Sequence, residues 1–200
     1  RLRDGLTNMV VHDLRSPLMV MSLSLDMLLE GQGQLGVPQK DNANTARQAC
    51  GGLIEMVSSL LDISRLESGK MPLNRISSDL HGIVRKAAAF VDSLARKKSI
   101  VITVSGAAAS ATVDSGIVER IFVNLLGNAI KFSPAKGAIS IRISTAGANI
   151  RVEVADQGPG IPAEYHERIF EKFGQVEIRN EGKMYSSGLG LTFCKLAVES

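Results

Sequence analysis

Residues 138–160 read AISIRISTAGANIRVEVADQGPG. Two runs of alternating apolar and polar residues, Ala138 to Ser144 and Ile150 to Ala155, flank the stretch Thr145-Ala146-Gly147-Ala148-Asn149. That pattern predicts two strands joined as a hairpin. Asp156 closes the second strand, and two glycines and a proline follow at once. A carboxylate at this point can accept from an exocyclic amine, while Gly158 and Gly160 let backbone come up to a flat ring without a Cβ between them. Taken alone, Asp-x-Gly-x-Gly is more often an ordinary tight turn, so the surrounding chain has to decide.

Upstream, Asp79 can cap a helix running to about Lys97, and Ile100 to Val104 alternates as a strand. Asp114 can cap a second helix, which carries Asn124 and Asn128 four residues apart and therefore on one face. A neutral amide oxygen is a suitable hard ligand for Mg²⁺, which keeps several waters and shares phosphate oxygens. Downstream, Gly188-Leu189-Gly190-Leu191 runs into a predicted helix from Thr192 to Val198. Its exposed amides and positive dipole end form a phosphate site. The stretch Gly174 to Ser187 has neither periodicity and reads as a lid over that site, with Phe170 and Phe173 at its start and Arg179 or Lys183 within reach of phosphates. The pattern as a whole predicts an α+β sandwich, a mixed sheet with helices on one face.

The first seventy residues follow a different rule. Leu14, Leu18, Met21, Leu25 and Leu28 recur at alternating steps of four and three, and Ala46, Cys50, Leu53, Val57 and Leu60 form a second seam. Between them the stretch Gly31 to Pro38 breaks the helix with three glycines and a proline. An all-α antiparallel helical hairpin results. Ile54, Leu61 and Ile63 widen the second stripe beyond what one neighbouring helix covers, so the hairpin is expected to pair with a copy of itself in a dimeric four-helix bundle.

The chain of 200 residues is 44% apolar, enough for packed cores. Its longest apolar stretch, Leu18 to Leu29, is interrupted by Ser22, Ser24 and Asp26 and is too short to span a membrane. Cys50 and Cys194 stand far apart without partner ligands, which predicts reduced thiols and a cytoplasmic setting. Of the net charge of +3, residues 71–200 carry +4, from sixteen basic and twelve acidic residues. That balance suits an anionic ligand. With no Trp and 4% aromatics, no basic cluster has aromatics interleaved, so nucleic acid is not an expected partner.

His12-Asp13-Leu14-Arg15-Ser16-Pro17, Asn124 with Asn128, the Asp156 loop and Gly188-Leu189-Gly190 occur in that order, and in this order the chain resembles the bacterial sensor histidine kinases of two-component signalling. The resemblance covers nearly the whole sequence. It implies that residues 1–70 are the dimerisation and histidine phosphoacceptor hairpin, and that 71–200 are a catalytic domain of the type shared by histidine kinases, gyrase-type ATPases and MutL-type repair ATPases. By the same resemblance ATP and Mg²⁺ are the cofactors, Asn128 is the metal ligand, Lys131 and Phe132 line the phosphate and base regions, and Asp156 reads adenine. Asn124, Gly158, Gly160, Ile161, Gly188, Leu189, Gly190 and Leu191 complete the nucleotide site. The implied partners are a second copy of the chain and the receiver domain of a response regulator.

Hydrolytic relatives of that fold place Glu where this chain has Asn124, and an amide is no general base at neutral pH. The expected nucleophile is therefore His12, on the outward side of its helix. Asp13 beside it can accept the Nδ1 proton and leave the other ring nitrogen to attack. Pro17 is expected to bend the helix nearby. Ser16 stands where many relatives carry Thr or Asn to dephosphorylate the regulator. Relatives also continue past the position of Ser200 with closing strands, so the resemblance implies a catalytic domain cut short. The competing expectation is a catalytically silent scaffold that binds nucleotide and a partner without transferring phosphate.

Overall fold

The computed structural model describes residues 18–29, 36–147, 149–174 and 188–200. The chain divides into two compact units, Arg1–Met71 and Pro72–Ser200.

In the first unit residues 18–29 form helix α1, and α2 spans Val37–Glu67. Asp26 near the end of α1 and Arg47 in α2 approach to 3.7 Å. Pro38, expected to break the helix, instead sits in the first turn of α2, where its missing N–H is no loss. Gly36 caps that turn, its N–H donating to Gln39 Oε1 at 2.8 Å. Cys50, Val57, Leu61, Ile63 and Leu66 are the buried residues of α2. Along the expected seams, however, Met21 and Leu28 stay more than half exposed and Leu53 is 45% exposed. Two helices alone offer these side chains no further apolar surface to pack on.

The second unit starts with β1 (Ile76–Asp79), which pairs antiparallel with β3 (Ser110–Val113). Helix α3 (Leu80–Lys97) begins at Asp79, whose carboxylate accepts the N–H groups of His81 and Gly82 at 3.0 Å each. Helix α4 (Ser115–Phe132) begins at Asp114 in the same way. Both caps fall where the sequence predicts them. Strand β2 (Val101–Gly106) runs parallel to β4 (Ala138–Ala146), and β4 pairs antiparallel with β5 (Asn149–Ala155), giving a mixed three-stranded sheet. The hairpin is tighter than expected, because Ala146 pairs directly with Asn149.

Along β4 the alternation resolves into faces. Ile139, Ile141 and Ile143 are fully buried, while Ser140 and Arg142 are exposed. The three isoleucines join Val84, Ala87 and Val91 of α3 with Phe122, Leu126 and Ile130 of α4 in one core, each large side chain contributing about 1.5–3 kcal/mol by leaving water. Helices therefore cover one sheet face and solvent the other. Two short 3₁₀ turns, Ala163–Tyr165 and Arg168–Phe170, lead on from β5, and α5 (Gly190–Glu199) ends the chain. Among the described residues no helix is long and apolar enough to cross a membrane.

Candidate functional site

Two separated stretches approach α4. Its last turn ends at Phe132, and the carbonyl of Phe132 lies 3.1 Å from where a Cβ on Gly158 would stand. That same Cβ would come within 2.8 Å of Asp156 Oδ1, so only glycine fits the loop as built. Asp156 itself is exposed, and its Oδ1 accepts the N–H of Gly158 at 2.7 Å. Gln157 Oε1 accepts the N–H of Ala138 at 2.9 Å, which latches the loop onto the start of β4. Gln157 was not singled out by sequence; its role depends on a neighbour nineteen residues away.

One turn and two turns back along α4, Asn128 and Asn124 are both half-buried. Gly190, the first residue of α5, packs against Asn124: a Cβ there would meet the Asn124 Oδ1 at 3.5 Å. Gly188 takes φ +66°, a left-handed conformation that sets the entry to α5. Its carbonyl accepts the N–H of Phe173 at 3.1 Å and joins the two sides of the segment 175–187. Leu189 is fully buried and packs the entry to α5 from within. Leu191 is half-buried, and Ile161 is 42% exposed beside the Asp156 loop.

Lys131 and Phe132 sit side by side, with the ammonium 5.2 Å from the ring centre. Burial lowers the Lys131 pKa from its ordinary value, because removing water penalises the cation. Lys98 supports this end of the helix from outside the motifs. Its Nζ donates to the carbonyls of Ile130, Lys131 and Ser133 at 2.9, 2.7 and 3.2 Å. Cys50 and Cys194 are buried free thiols. Burial pushes the Cys194 thiol up to about 11, despite a hydrogen bond with the Asn124 side chain and the charge of Arg120.

A cavity of about 820 Å³ opens elsewhere, between α4, α5 and the second 3₁₀ turn, lined by Ile121, Leu125, Phe170 and Val198 among others. Cys194 also lines it, but Asn124, Asn128, Lys131, Phe132, Asp156 and the site glycines do not. The chemistry available to Asn124, Asn128, Asp156 and the α5 amides outweighs that cavity's size. His12, Asp13, Ser16 and Pro17, together with Arg179 and Lys183 of the expected lid, lie outside the described residues.

The arrangement fits a nucleotide. A loop with an outward carboxylate and no Cβ in the way stands at one end of α4, amide side chains follow, and a helix N-terminus meets them.

Residues 113–200 match the family described as histidine kinase-, DNA gyrase B-, and HSP90-like ATPase, and residues 2–69 match the His Kinase A (phospho-acceptor) domain. Hybrid signal transduction histidine kinase D of Dictyostelium discoideum is 39% identical over 93% of this chain, which spans 12% of that relative. Sensor histidine kinase TmoS of Ectopseudomonas mendocina is 32% identical over 95% of the chain, which spans 20% of it. The crystal structure of full-length ShkA in complex with AMPPNP superposes with a TM-score of 0.79 at 26% identity, covering 98% of this chain and 40% of that one. The chain thus corresponds to a minor part of each relative's length. With a phosphoacceptor domain followed by the ATPase fold, it belongs to the two-component sensor histidine kinases.

Proposed function

We propose that this chain is the kinase core of its protein, transferring the γ-phosphoryl group of ATP to His12 and from there to an aspartate of a response-regulator receiver domain. Residues 1–70 then act as the dimerising phosphoacceptor hairpin and 71–200 as the catalytic domain. The observation that carries this reading is the approach of two distant stretches to α4, the Asp156 loop at the Phe132 carbonyl and the Gly190 turn at Asn124. The AMPPNP bound to ShkA is consistent with it.

In this reading Asp156 accepts from the adenine amine, Gly158 and Gly160 admit the ring, and the first amides of α5 hold phosphate oxygens. Asn128, with Asn124 one turn away, holds the metal. Mg²⁺, when bound, neutralises charge that develops on the β- and γ-phosphate oxygens. Asp13 takes the Nδ1 proton of His12, and the other ring nitrogen forms a bond to the γ-phosphorus. The bond from that phosphorus to the β,γ-bridging oxygen breaks, and ADP leaves with the electron pair. No carboxylate stands at position 124 to activate water instead. The exposed Met21, Leu28 and Leu53 of the hairpin become the faces that a second copy covers.

Incubation with labelled ATP and Mg²⁺ tests the proposal. Acid-labile, alkali-stable label is expected on the wild type and none on His12→Ala. Label that survives this substitution refutes His12 as the acceptor, while nucleotide binding without any label favours the silent scaffold.

A further inference from the structure

The motif residues account for α4 from Asn124 to Phe132 and leave the turn before them unassigned. Arg120 stands four residues before Asn124 and eight before Asn128, so all three share one face of the helix. The Arg120 guanidinium lies 4.1 Å from the centre of the Phe193 ring. Phe193 belongs to α5, three residues beyond Gly190, and is 1% exposed. Beside Phe193, the Cys194 thiol donates to the carbonyl of Ile121 in α4 at 3.7 Å, and Gly190 abuts Asn124. Arg120, Asn124, Gly190, Phe193 and Cys194 therefore form one cluster where α4 meets the opening turns of α5.

Position along the helix gives that cluster a direction. The Asp156 loop places the base end at Phe132, and the twelve residues back to Arg120 span roughly 18 Å of helix. A phosphate chain laid from Phe132 past Asn128 and Asn124 brings its outermost group to the Arg120 end. A diphosphate stops one group earlier. A guanidinium is the suited cation for such a group, because its planar fork pairs with two phosphate oxygens at once. The contact with the Phe193 ring restrains the guanidinium beforehand, so less freedom is lost on binding.

We propose that Arg120 reads the terminal phosphate, its guanidinium held against Phe193 to pair with the outermost phosphate of a nucleoside triphosphate and so separate triphosphate from diphosphate. This assignment rests on the nucleotide site proposed above.

Calorimetry of the 200-residue chain with Mg²⁺ tests it, titrating ADP and a non-hydrolysable ATP analogue separately. Arg120→Met should weaken the analogue by roughly 10- to 100-fold, the worth of one charge-assisted hydrogen-bonded pair, and change ADP by less than about twofold. Arg120→Lys, which keeps the charge without the plane, should recover part of the loss for the analogue; it carries the same comparison should the methionine variant unfold. Equal losses for both nucleotides mark Arg120 as a packing residue and overturn the proposal, as does no loss for either. A wild-type chain that binds neither nucleotide overturns the underlying site, and this assignment with it.

Discussion

Asp156 Oδ1 accepts the N–H of Gly158 at 2.7 Å, a short bond inside the loop that closes β5. One carboxylate oxygen is thereby committed to the turn, which orients the other for a ligand. Asp156→Asn keeps the shape and removes the charge. An amide turned to accept from Gly158 presents its NH₂ toward the ligand, so an adenine amine would meet a donor instead of an acceptor. The expected result is a rise in Kd for ATP of roughly 10- to 100-fold with little change in Tm. Calorimetry beside a thermal melt checks it; an unchanged Kd removes Asp156 from the site.

Two glycines of the site should respond differently to alanine. At Gly158 the new methyl would stand 2.8 Å from Asp156 Oδ1 and 3.1 Å from the backbone carbonyl of Phe132, so the loop must shift. At Gly190 it would stand 3.5 Å from Asn124 Oδ1, an ordinary contact, and alanine is the better helix former. Gly158→Ala is expected to cost about 1–3 kcal/mol in stability as well as nucleotide affinity. Gly190→Ala should leave stability within about 0.5 kcal/mol and weaken only the nucleotide. Matching losses of Tm in the two variants would refute this contrast.

The parts legible in advance were those set by local chemistry. Asp79 and Asp114 are recognisable caps because the acceptor and the amides it satisfies lie within three residues. Alternation in β4 announces its faces, because Ile139, Ile141 and Ile143 share one side whatever covers them. The β1–β3 pair is not legible in the sequence: Ile76-Ser77-Ser78-Asp79 has no apolar alternation, and its partner lies more than thirty residues on. Pro38 reads as a breaker, yet proline also suits the first turn of a helix, and a pattern alone does not separate the two uses. Around the candidate site the sequence offers Asn124, Asn128, Asp156 and the glycines as expectations, whereas the positions taken by Gln157, Lys98 and Cys194 are not readable from it. Each of those depends on a partner that only the tertiary fold brings near.

Lys98 makes the largest of these hidden contributions. Its ammonium takes three carbonyls at the C-terminal end of α4, where the helix dipole is negative and the last carbonyls lack helical partners. Lys98→Met keeps most of the stem and leaves these partly buried acceptors without the cation. A loss of about 1.5–3 kcal/mol is expected from denaturant unfolding. Because Lys131 and Phe132 occupy the same turn, nucleotide affinity should fall with it. An unchanged denaturation midpoint would show that water replaces the ammonium without cost.

Asp114 ties α4 to the chain before it, accepting from Ile117, Gly116 and Asn74. The bond from Ile117, then that from Asn74, lowers its pKa below the ordinary carboxylate value. Folding thus favours the ionised form. The stabilisation is present above the unfolded pKa of about 4 and is lost as pH falls through the lower folded value. Asp114→Ala, which also removes the cap, should cost about 0.5–2 kcal/mol at pH 7. Melts of wild type and variant should converge below pH about 4; a gap that stays constant to pH 2 would contradict the carboxylate's role.

At the alkaline end the sign reverses. Burial raises the Cys194 thiol to about 11, so the folded chain resists forming the thiolate that the unfolded chain forms near pH 9. Protons are released on unfolding across that window, and stability contributed by the neutral thiol is present below pH 9 and falls as pH rises toward 11. Cys194→Ser should flatten this part of the stability curve, since a hydroxyl does not titrate there. The same burial makes the thiol slow to react, because only the thiolate attacks. Iodoacetamide at pH 8 should leave Cys194 unmodified in the native chain and alkylate it once denaturant opens the α4–α5 contact. Mass spectrometry of the Cys194 peptide reads both states, and rapid native modification would show that α5 separates from α4 and Asn124 far more often than its packing implies.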